Sequence, residues 1–496
     1  MVEFELKLEI PADRLARVEA AVRDGKVNRQ RLQARYFDTR DGSLARNNIV
    51  LRLRKEGRRW VQTAKASSGG PLERLEHNVN VVKPAGAATA AVDMARHAGT
   101  PVGERIAQAL GLESGEVFPA LLLLFETDVW RLTRDVECAG SVMEIALDVG
   151  RVFSGPHSIP LCELEVELKH GSPEHAAQLA RDWCGRHGLW LSSVSKSMKG
   201  QRLGSGSAFG PPVPASTPEL GRDATAEQIT VAVLQSCLAQ ILGNASEVAG
   251  GNDALEAVHQ LRVGIRRLRT ALRELPALTR GINPAWEKPL IDAFRVLGQH
   301  RDSSHVMLSV QPQIEAAGGP ALDTQRVFDA GLADAGAAVR SPAFQDALLA
   351  IIGFVHGSKP EDGSLGHDAA KKLLRLRLKK LHAQVVKDGH KFLSLEETRQ
   401  HQVRKRLKRL RYLAEFVAPL FSARKFKKFV ASLKPVQDAL GVYNDELTAL
   451  ATYRALTEKD KTAWFGVGWL TARRAPNALA CLHELEAFAK VPPFWQ

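Results

Sequence analysis

Several stretches early in the chain alternate charged and apolar residues with a period of two: FELKLEI at 4–10, IVLRLRK at 49–55 and CELEVELK at 162–169. In an extended strand successive side chains point to opposite faces, so Glu3, Glu5 and Lys7 share one face while Phe4, Leu6 and Leu8 share the other. The same arithmetic sets Arg52 and Arg54 against Leu51 and Leu53, and Glu163, Glu165 and Glu167 against Leu164, Val166 and Leu168. Arg74 and Glu76 stand two apart and Glu144 and Asp148 four apart, so each pair also shares a face. Such strands must lie between an apolar and a charged medium. For one strand alone the charged medium is ordinarily water. Here carboxylates collect on some strands and Arg or Lys on others, without the Thr, Ser and Gln that dilute a solvent-facing surface. Closing the strands into an antiparallel β-barrel, charged faces inward, gives a lumen with an acidic and a basic cluster. Carboxylates hold hard divalent cations, and guanidinium and ammonium groups neutralise phosphoryl oxygens. The lumen therefore suits metal-assisted attack of water on a polyphosphate.

A chain of 496 residues is expected to form two or three domains. Residues 203–222, LGSGSAFGPPVPASTPELGR, hold no apolar period and read as a flexible linker. Lys and Arg stand to Asp and Glu as 29 to 27 through residue 220 and as 39 to 28 after it, so nearly all of the net charge of +13 belongs to the second half. The opening MVEFELKLEI carries acidic residues where a secretory signal needs a basic start and an apolar run, and no later stretch reads as a membrane span. A cytoplasmic protein is expected, with polyphosphate granules a place where it could associate. Cys138, Cys162, Cys184, Cys237 and Cys481 form no CxxC pair and are odd in number, which points to reduced packing residues.

After the linker the apolar period changes to three and four. In HQLRVGIRRLRTALR, His259, Arg262, Arg266, Arg269 and Arg273 fall on one helical face, beside Leu261, Ile265, Leu268 and Leu272. His401, Arg404, Lys408 and Arg411 repeat the basic spacing, with Val403, Leu407 and Leu410 repeating the apolar one. LGQHRD at 297–302 and LGVYND at 440–445 follow at matching distances, so the unit is duplicated. Two all-α bundles in approximate two-fold relation would turn their stripes toward a shared groove that attracts a polyanion, with KKLLRLRLKKL from Lys371 adding charge. A single basic helix is ordinarily a solvated face; duplication of the spacing argues for more. Nucleic acid is the less favoured polyanion, because the stripes carry few aromatic residues for base stacking.

The first half resembles the CYTH family, the triphosphate tunnel metalloenzymes. EFELK fits the ExExK signature, and YFDTRDGSL, LRLR, QTAK, RLEHNV, LFETDVWR, MEIALDVG, CELEVELKHG and SVSKSMKG follow in family order over about residues 3–200. The second half, about 225–490, resembles the CHAD family of conserved-histidine helical domains that bind inorganic polyphosphate. The resemblance implies a CYTH tunnel domain at 1–203, a linker at 204–222 and a two-repeat CHAD domain at 223–493. It implies an inorganic triphosphatase using Mg²⁺ or Mn²⁺, with Glu3, Glu5, Asp148, Glu163, Glu165 and Glu167 as metal ligands and Glu144 nearby. Lys7, Arg52, Arg54, Lys65, Arg74, Arg131 and Lys196 would bind triphosphate; Glu3, Glu5, Lys7, Arg52, Arg54, Lys65, Arg131 and Glu165 form the catalytic set. Inorganic polyphosphate would lie along His259, Arg262, Arg266, Arg269 and Arg273 together with His401, Arg404, Lys408 and Arg411. Lys199 stands where an Arg is common, and Gln201 replaces a frequent Tyr.

Two other functions stay open: a weakly catalytic polyphosphate-binding or targeting protein, and adenylyl cyclisation, for which no base-recognition motif is evident. Lys55, Arg58 and Arg59 flank Gly57 and are expected to be solvated; Arg35 has no clear role; His77 and His170 lack a second His at ligand spacing.

Overall fold

The structure is a computed structural model that describes all residues except 1, 71, 85–88, 114–115, 323–333 and 358–363; at 2, 68–70, 73, 301, 303 and 304 it describes the backbone alone. The alternating segments form strands β1 (Val2–Glu9), β2 (Asn28–Thr39), β3 (Ile49–Glu56), β4 (Arg59–Gly70), β5 (Glu73–Val81), β6 (Leu121–Cys138), β7 (Ser141–Ser154), β8 (His157–His170) and β9 (Trp190–Leu191). They run in the order β5-β4-β3-β2-β6-β7-β8-β1-β9, and pairing of Val2, Glu3 and Phe4 with Leu75, Arg74 and Glu73 brings β1 onto β5. An antiparallel barrel of eight strands is thereby closed, as the alternation predicts, with β9 added beside β1. Its hairpins are tight. Between β6 and β7, Ala139 (φ 49°) and Gly140 (φ 77°) both take the left-handed conformation, which a two-residue connection matched to strand twist requires.

Charged faces point into the barrel and apolar faces point out, where helices cover them. Ile49, Leu51, Ala64 and Ala66 of β3 and β4 pack on Met94, Val102 and Ile106. The helix Pro101–Leu110 that carries the last two starts from a Thr100 cap and stops at Gly111 in the left-handed conformation. Leu6, Leu8, Leu164 and Val166 are fully buried, and the helix Pro173–His187 packs against β1 and β8. Each such side chain contributes about 1.5–3 kcal/mol of burial, so the register that turns charge inward is also the register that fills the core.

The chain divides into two compact units, and the division does not follow chain order. Unit 1 comprises Met1–Val213 together with Leu242–Asn252 and Val339–Gly357; unit 2 comprises Pro214–Ile241, Asp253–Ala338 and Ser358–Gln496. The apolar helix Pro342–Gly357 lies on Pro173–His187, close enough that a Cβ on Gly353 would stand 3.1 Å from the Ala177 Cβ. Unit 2 is helical, as its apolar period predicts. The Gly/Ser/Pro-rich stretch, expected to be flexible, is tied down. Asn244 holds Val213 from both sides (3.1 and 2.9 Å) and Glu247 accepts from Gly210 N at 3.2 Å within unit 1, while Ser216 O accepts from Arg267 at 2.6 Å within unit 2. Backbone without a ladder of its own needs such partners, and composition did not reveal them. The helix Ala226–Ala249 is long and apolar enough to cross a membrane, which the sequence reading overlooked, but 72% of its apolar window is buried inside the protein.

Candidate active site

A cavity of about 560 Å³ occupies the barrel interior. Glu3, Glu5, Lys7, Arg52, Arg54, Lys65, Arg74, Arg131, Glu165, Glu167 and Lys196 line it; Asp148 and Glu163, the other predicted tunnel residues, do not. Strand register explains the acidic side. Glu5 of β1 faces Glu167 of β8, which faces Glu144 of β7, so three neighbouring strands put carboxylates in one row. Of these, Glu144 and Glu167 share, among the described residues, the one cation Lys169, at 3.5 and 2.8 Å. Glu5 has no hydrogen-bond or ion-pair partner among the described residues, and burial followed by the Glu165 charge pushes its pKa up.

A deeper row runs Glu9, Glu163, Asp148. Asp148, Glu163 and Glu165 bring carboxylate oxygens within 4.8 Å of one another, the spacing of a metal site. A cation already stands there. Lys196 Nζ lies 2.8, 2.5 and 2.6 Å from Asp148, Glu163 and Glu165, and Arg131 donates to both Asp148 oxygens at 2.6 and 2.7 Å and to Glu165. Burial works against the charged form of Glu165, yet Lys196 and Arg131 outweigh it and hold its pKa well below the ordinary range. Asp148 and Glu163 are thus placed against Lys196, whereas in the other row Glu5 has no cation at ion-pair distance among the described residues and Glu167 and Glu144 share one lysine. Oxygen donors grouped without enough positive charge fit a hard divalent cation, because burying carboxylates unpaired is costly.

The basic side comes from β3 to β6. Lys65 Nζ bonds Glu3 and Glu76, both at 2.7 Å, and Arg54 Nε donates to Glu56 at 2.6 Å. Burial, then Arg52, lowers the Arg54 pKa to about 10. Among the described residues Lys7, Arg52 and Arg74 line the cavity with no carboxylate at ion-pair distance. Burial pulls the Lys7 ammonium below its usual value. Arg52 sits beside Tyr36, whose ring stacks on Phe125 at 4.3 Å. Three unpaired cations in one cavity are where an anion gains most. Lys55, Arg58 and Arg59 are exposed as expected, and Arg35 pairs with Glu126 at 2.6 Å. His77 proves to have a histidine neighbour: its Nδ1 is 3.0 Å from that of buried His97, which sequence spacing alone did not connect.

Burial pushes the Glu3 carboxyl up to about 7 against the pull of Lys65, and a hydrogen bond with Glu76 adds to the rise. Burial opposes the opposite shift of Glu76, but that hydrogen bond and Lys65 keep it low. With its folded value above the ordinary 4.5 of a glutamate, Glu3 favours the folded chain fully below 4.5 and loses that contribution as pH rises through about 7. A cation at Glu3 must displace the proton. Apparent affinity for a divalent cation held there is therefore expected to rise by up to about tenfold per pH unit toward 7 and to level off above it. Calorimetric metal titrations on both sides of neutrality check this; a flat affinity removes Glu3 from the metal site.

In unit 2 the two basic stripes lie mainly along their own following helices. Arg262 is buried, donates to Phe294 O at 3.0 Å and stacks 4.2 Å over the Phe294 ring, with Arg266 and Arg269 at 5.4 and 5.9 Å. Arg269 and Arg273 pair with Glu287 at 3.0 and 2.5 Å. His259 and Lys408 also have partners within the chain. In the second repeat His401 Nδ1 is 2.6 Å from Asn444 Oδ1 and Arg404 is 3.5 Å from Asp445. Arg411 donates to Glu415 and Gln437, each at 2.6 Å. The LGVYND segment is thus the neighbour of the second stripe, a meeting that two separate motifs could not reveal. The corresponding Arg301 side chain lies outside the described residues. Where the helices Leu255–Glu274 and Glu397–Val417 pack on one another, the meeting residues include Lys405 and Arg409, which sequence reasoning missed. Burial, then Arg269 and Arg273, lowers the Lys405 pKa, and Arg409 stands 3.6 Å from buried Glu274.

Comparison with known proteins agrees with the two halves. The inorganic triphosphatase of Haemophilus influenzae is 29% identical over 175 residues, 34% of this chain and 45% of that protein, so the chain spans less than half the length of this relative. The CHAD domain of the plant Ricinus communis is 27% identical with a TM-score of 0.49, covering 56% of this chain and 97% of that one. An inorganic triphosphatase of known structure is 18% identical with a TM-score of 0.16, covering 36% and 78%. Residues 1–200 match the CYTH domain model and residues 232–454 the CHAD domain model. The chain joins a CYTH domain to a CHAD domain.

Proposed function

We propose that the tunnel hydrolyses inorganic triphosphate to pyrophosphate and phosphate with a divalent cation, Mg²⁺ or Mn²⁺, and that the helical domain binds inorganic polyphosphate. The observation that carries the first part is one cavity that holds both a row of carboxylates, Glu5, Glu167 and Glu144, and three cations, Lys7, Arg52 and Arg74, with no carboxylate at ion-pair distance among the described residues. Glu5, Glu167 and Glu144, flanked by Glu3 and Glu165, would hold the cation, which supplies Lewis acidity and an acidified water. The unpaired cations bind phosphoryl oxygens and stabilise charge that develops on them. Water adds its oxygen to a terminal phosphorus, the bridging P–O bond breaks, and pyrophosphate leaves. The Haemophilus influenzae relative bears the name of this activity, which supports the choice of substrate.

Phosphate release from inorganic triphosphate, long-chain polyphosphate, ATP and thiamine triphosphate, measured in parallel, tests the proposal. Triphosphate should be turned over fastest. Cyclic AMP from ATP would favour the cyclase instead.

Polyphosphate binding rests on the paired basic helices. Each neutralised phosphate releases condensed counterions, so affinity should fall steeply with salt. Arg266→Glu with Lys408→Glu should weaken binding well over tenfold more than Lys288→Glu with Arg454→Glu, although both doubles change net charge equally. Equal losses would mean that only bulk charge matters.

A further inference from the structure

We propose that the first turn of the helix Lys196–Ser205, with the Ser197 hydroxyl at its centre, is a phosphoryl-binding subsite of the tunnel; this rests on the triphosphatase reading above. The helix has ten residues and opens from a Ser195 cap, whose Oγ accepts from Met198 N at 3.2 Å. First-turn N–H groups have no intrahelical acceptor and carry the positive end of the helix dipole, an arrangement that favours anions. The ammonium of Lys196 is bound among three carboxylates, so it is not what this helix presents to a phosphate. Ser197 is presented instead. It lines the cavity, is 8% exposed and has no hydrogen-bond partner among the described residues.

Neighbouring hydroxyls continue the same wall. Ser192 and Ser195 also line the cavity, and each uses its oxygen as an acceptor, from Val194 N and Met198 N at 3.2 Å, which leaves the O–H able to donate. Amide and hydroxyl donors at a positive helix end suit an anionic oxygen and repel a metal ion. The turn is also held in place. A Cβ on Gly200 would come within 2.1 Å of the Phe125 ring, so only glycine lets the helix close on β6, and Lys199 bonds Glu9 and Glu163 at 2.7 and 3.1 Å. Ser197 is therefore a binding residue that donates directly to one end of the phosphate chain.

Calorimetric binding of imidotriphosphate with Mg²⁺ to the full chain tests this. Ser197→Ala should bind about tenfold more weakly, the loss expected for one hydrogen bond to a charged group, while Ser197→Thr should stay near wild type. Unchanged affinity in Ser197→Ala, or equal weakening in both variants, overturns the subsite. Amide hydrogen exchange gives a measure that needs no variant: the analogue should protect the amides of Lys196 and Ser197 in the wild type, since those of Met198 and Lys199 already bond to Ser195, and unchanged exchange at 196 and 197 overturns the proposal. Wild type that fails to bind the analogue at all sinks the triphosphatase reading along with the subsite; binding without these effects sinks the subsite alone.

Discussion

Replacing Glu5 by Gln is expected to lower metal-dependent phosphate release at least about a hundredfold while leaving the barrel folded. Loss of a group that merely orients a metal ligand costs about 10–100-fold, and Glu5 is itself the carboxylate of the row that has no ion-pair partner among the described residues. The same change should leave the melting temperature of the metal-free protein unchanged or higher, because it removes a buried carboxylate that has no ion-pair partner among the described residues. Activity and stability should therefore move apart. A purely structural Glu5 would lose both together, and near-normal turnover in the folded variant would take Glu5 out of the metal site.

Arg52→Ala is expected to cost about 10²–10³ in kcat, the usual loss when a preorganised donor to developing charge is removed from a water-poor site. Arg58→Ala, four residues on the chain from Arg54 but exposed in the β3–β4 turn, should change kcat less than about twofold. Arg54→Ala should fall between them, since Glu56 already neutralises part of its charge. Steady-state kinetics on the three variants checks the order. Equal losses at Arg52 and Arg58 would contradict the inward and outward assignment that strand alternation provides.

The barrel was legible because alternation is a local property, and closure follows once both faces need a partner. The faces of Glu3, Glu5 and Lys7, of Arg52 and Arg54, and of Glu163, Glu165 and Glu167 could be read from parity alone. Which charges neutralise one another could not. Lys196 reaches Asp148, Glu163 and Glu165 from a helix that follows β9, so its capture of that trio depends on tertiary placement. The same holds for Glu76, drawn into the Lys65 and Glu3 group across two strand pairings. Helical spacing likewise placed Arg262 on a basic face but not beneath the Phe294 ring, and Lys405 and Arg409 were passed over because they fall between the two repeated stripes. Folding of Pro342–Gly357 with unit 1 had no signal in a chain scanned for consecutive domains; the buried alanines of Pro173–His187 that receive it look like any small-residue helix face.

Phosphorus NMR of the wild-type chain with inorganic triphosphate, recorded with Mg²⁺ or Mn²⁺ and again with excess chelator, tests the central claim most directly. Triphosphate resonances should give way to pyrophosphate and phosphate in equal amounts, and only when the metal is present. Triphosphate that stays intact with either metal, or is cleaved equally fast in chelator, would contradict it.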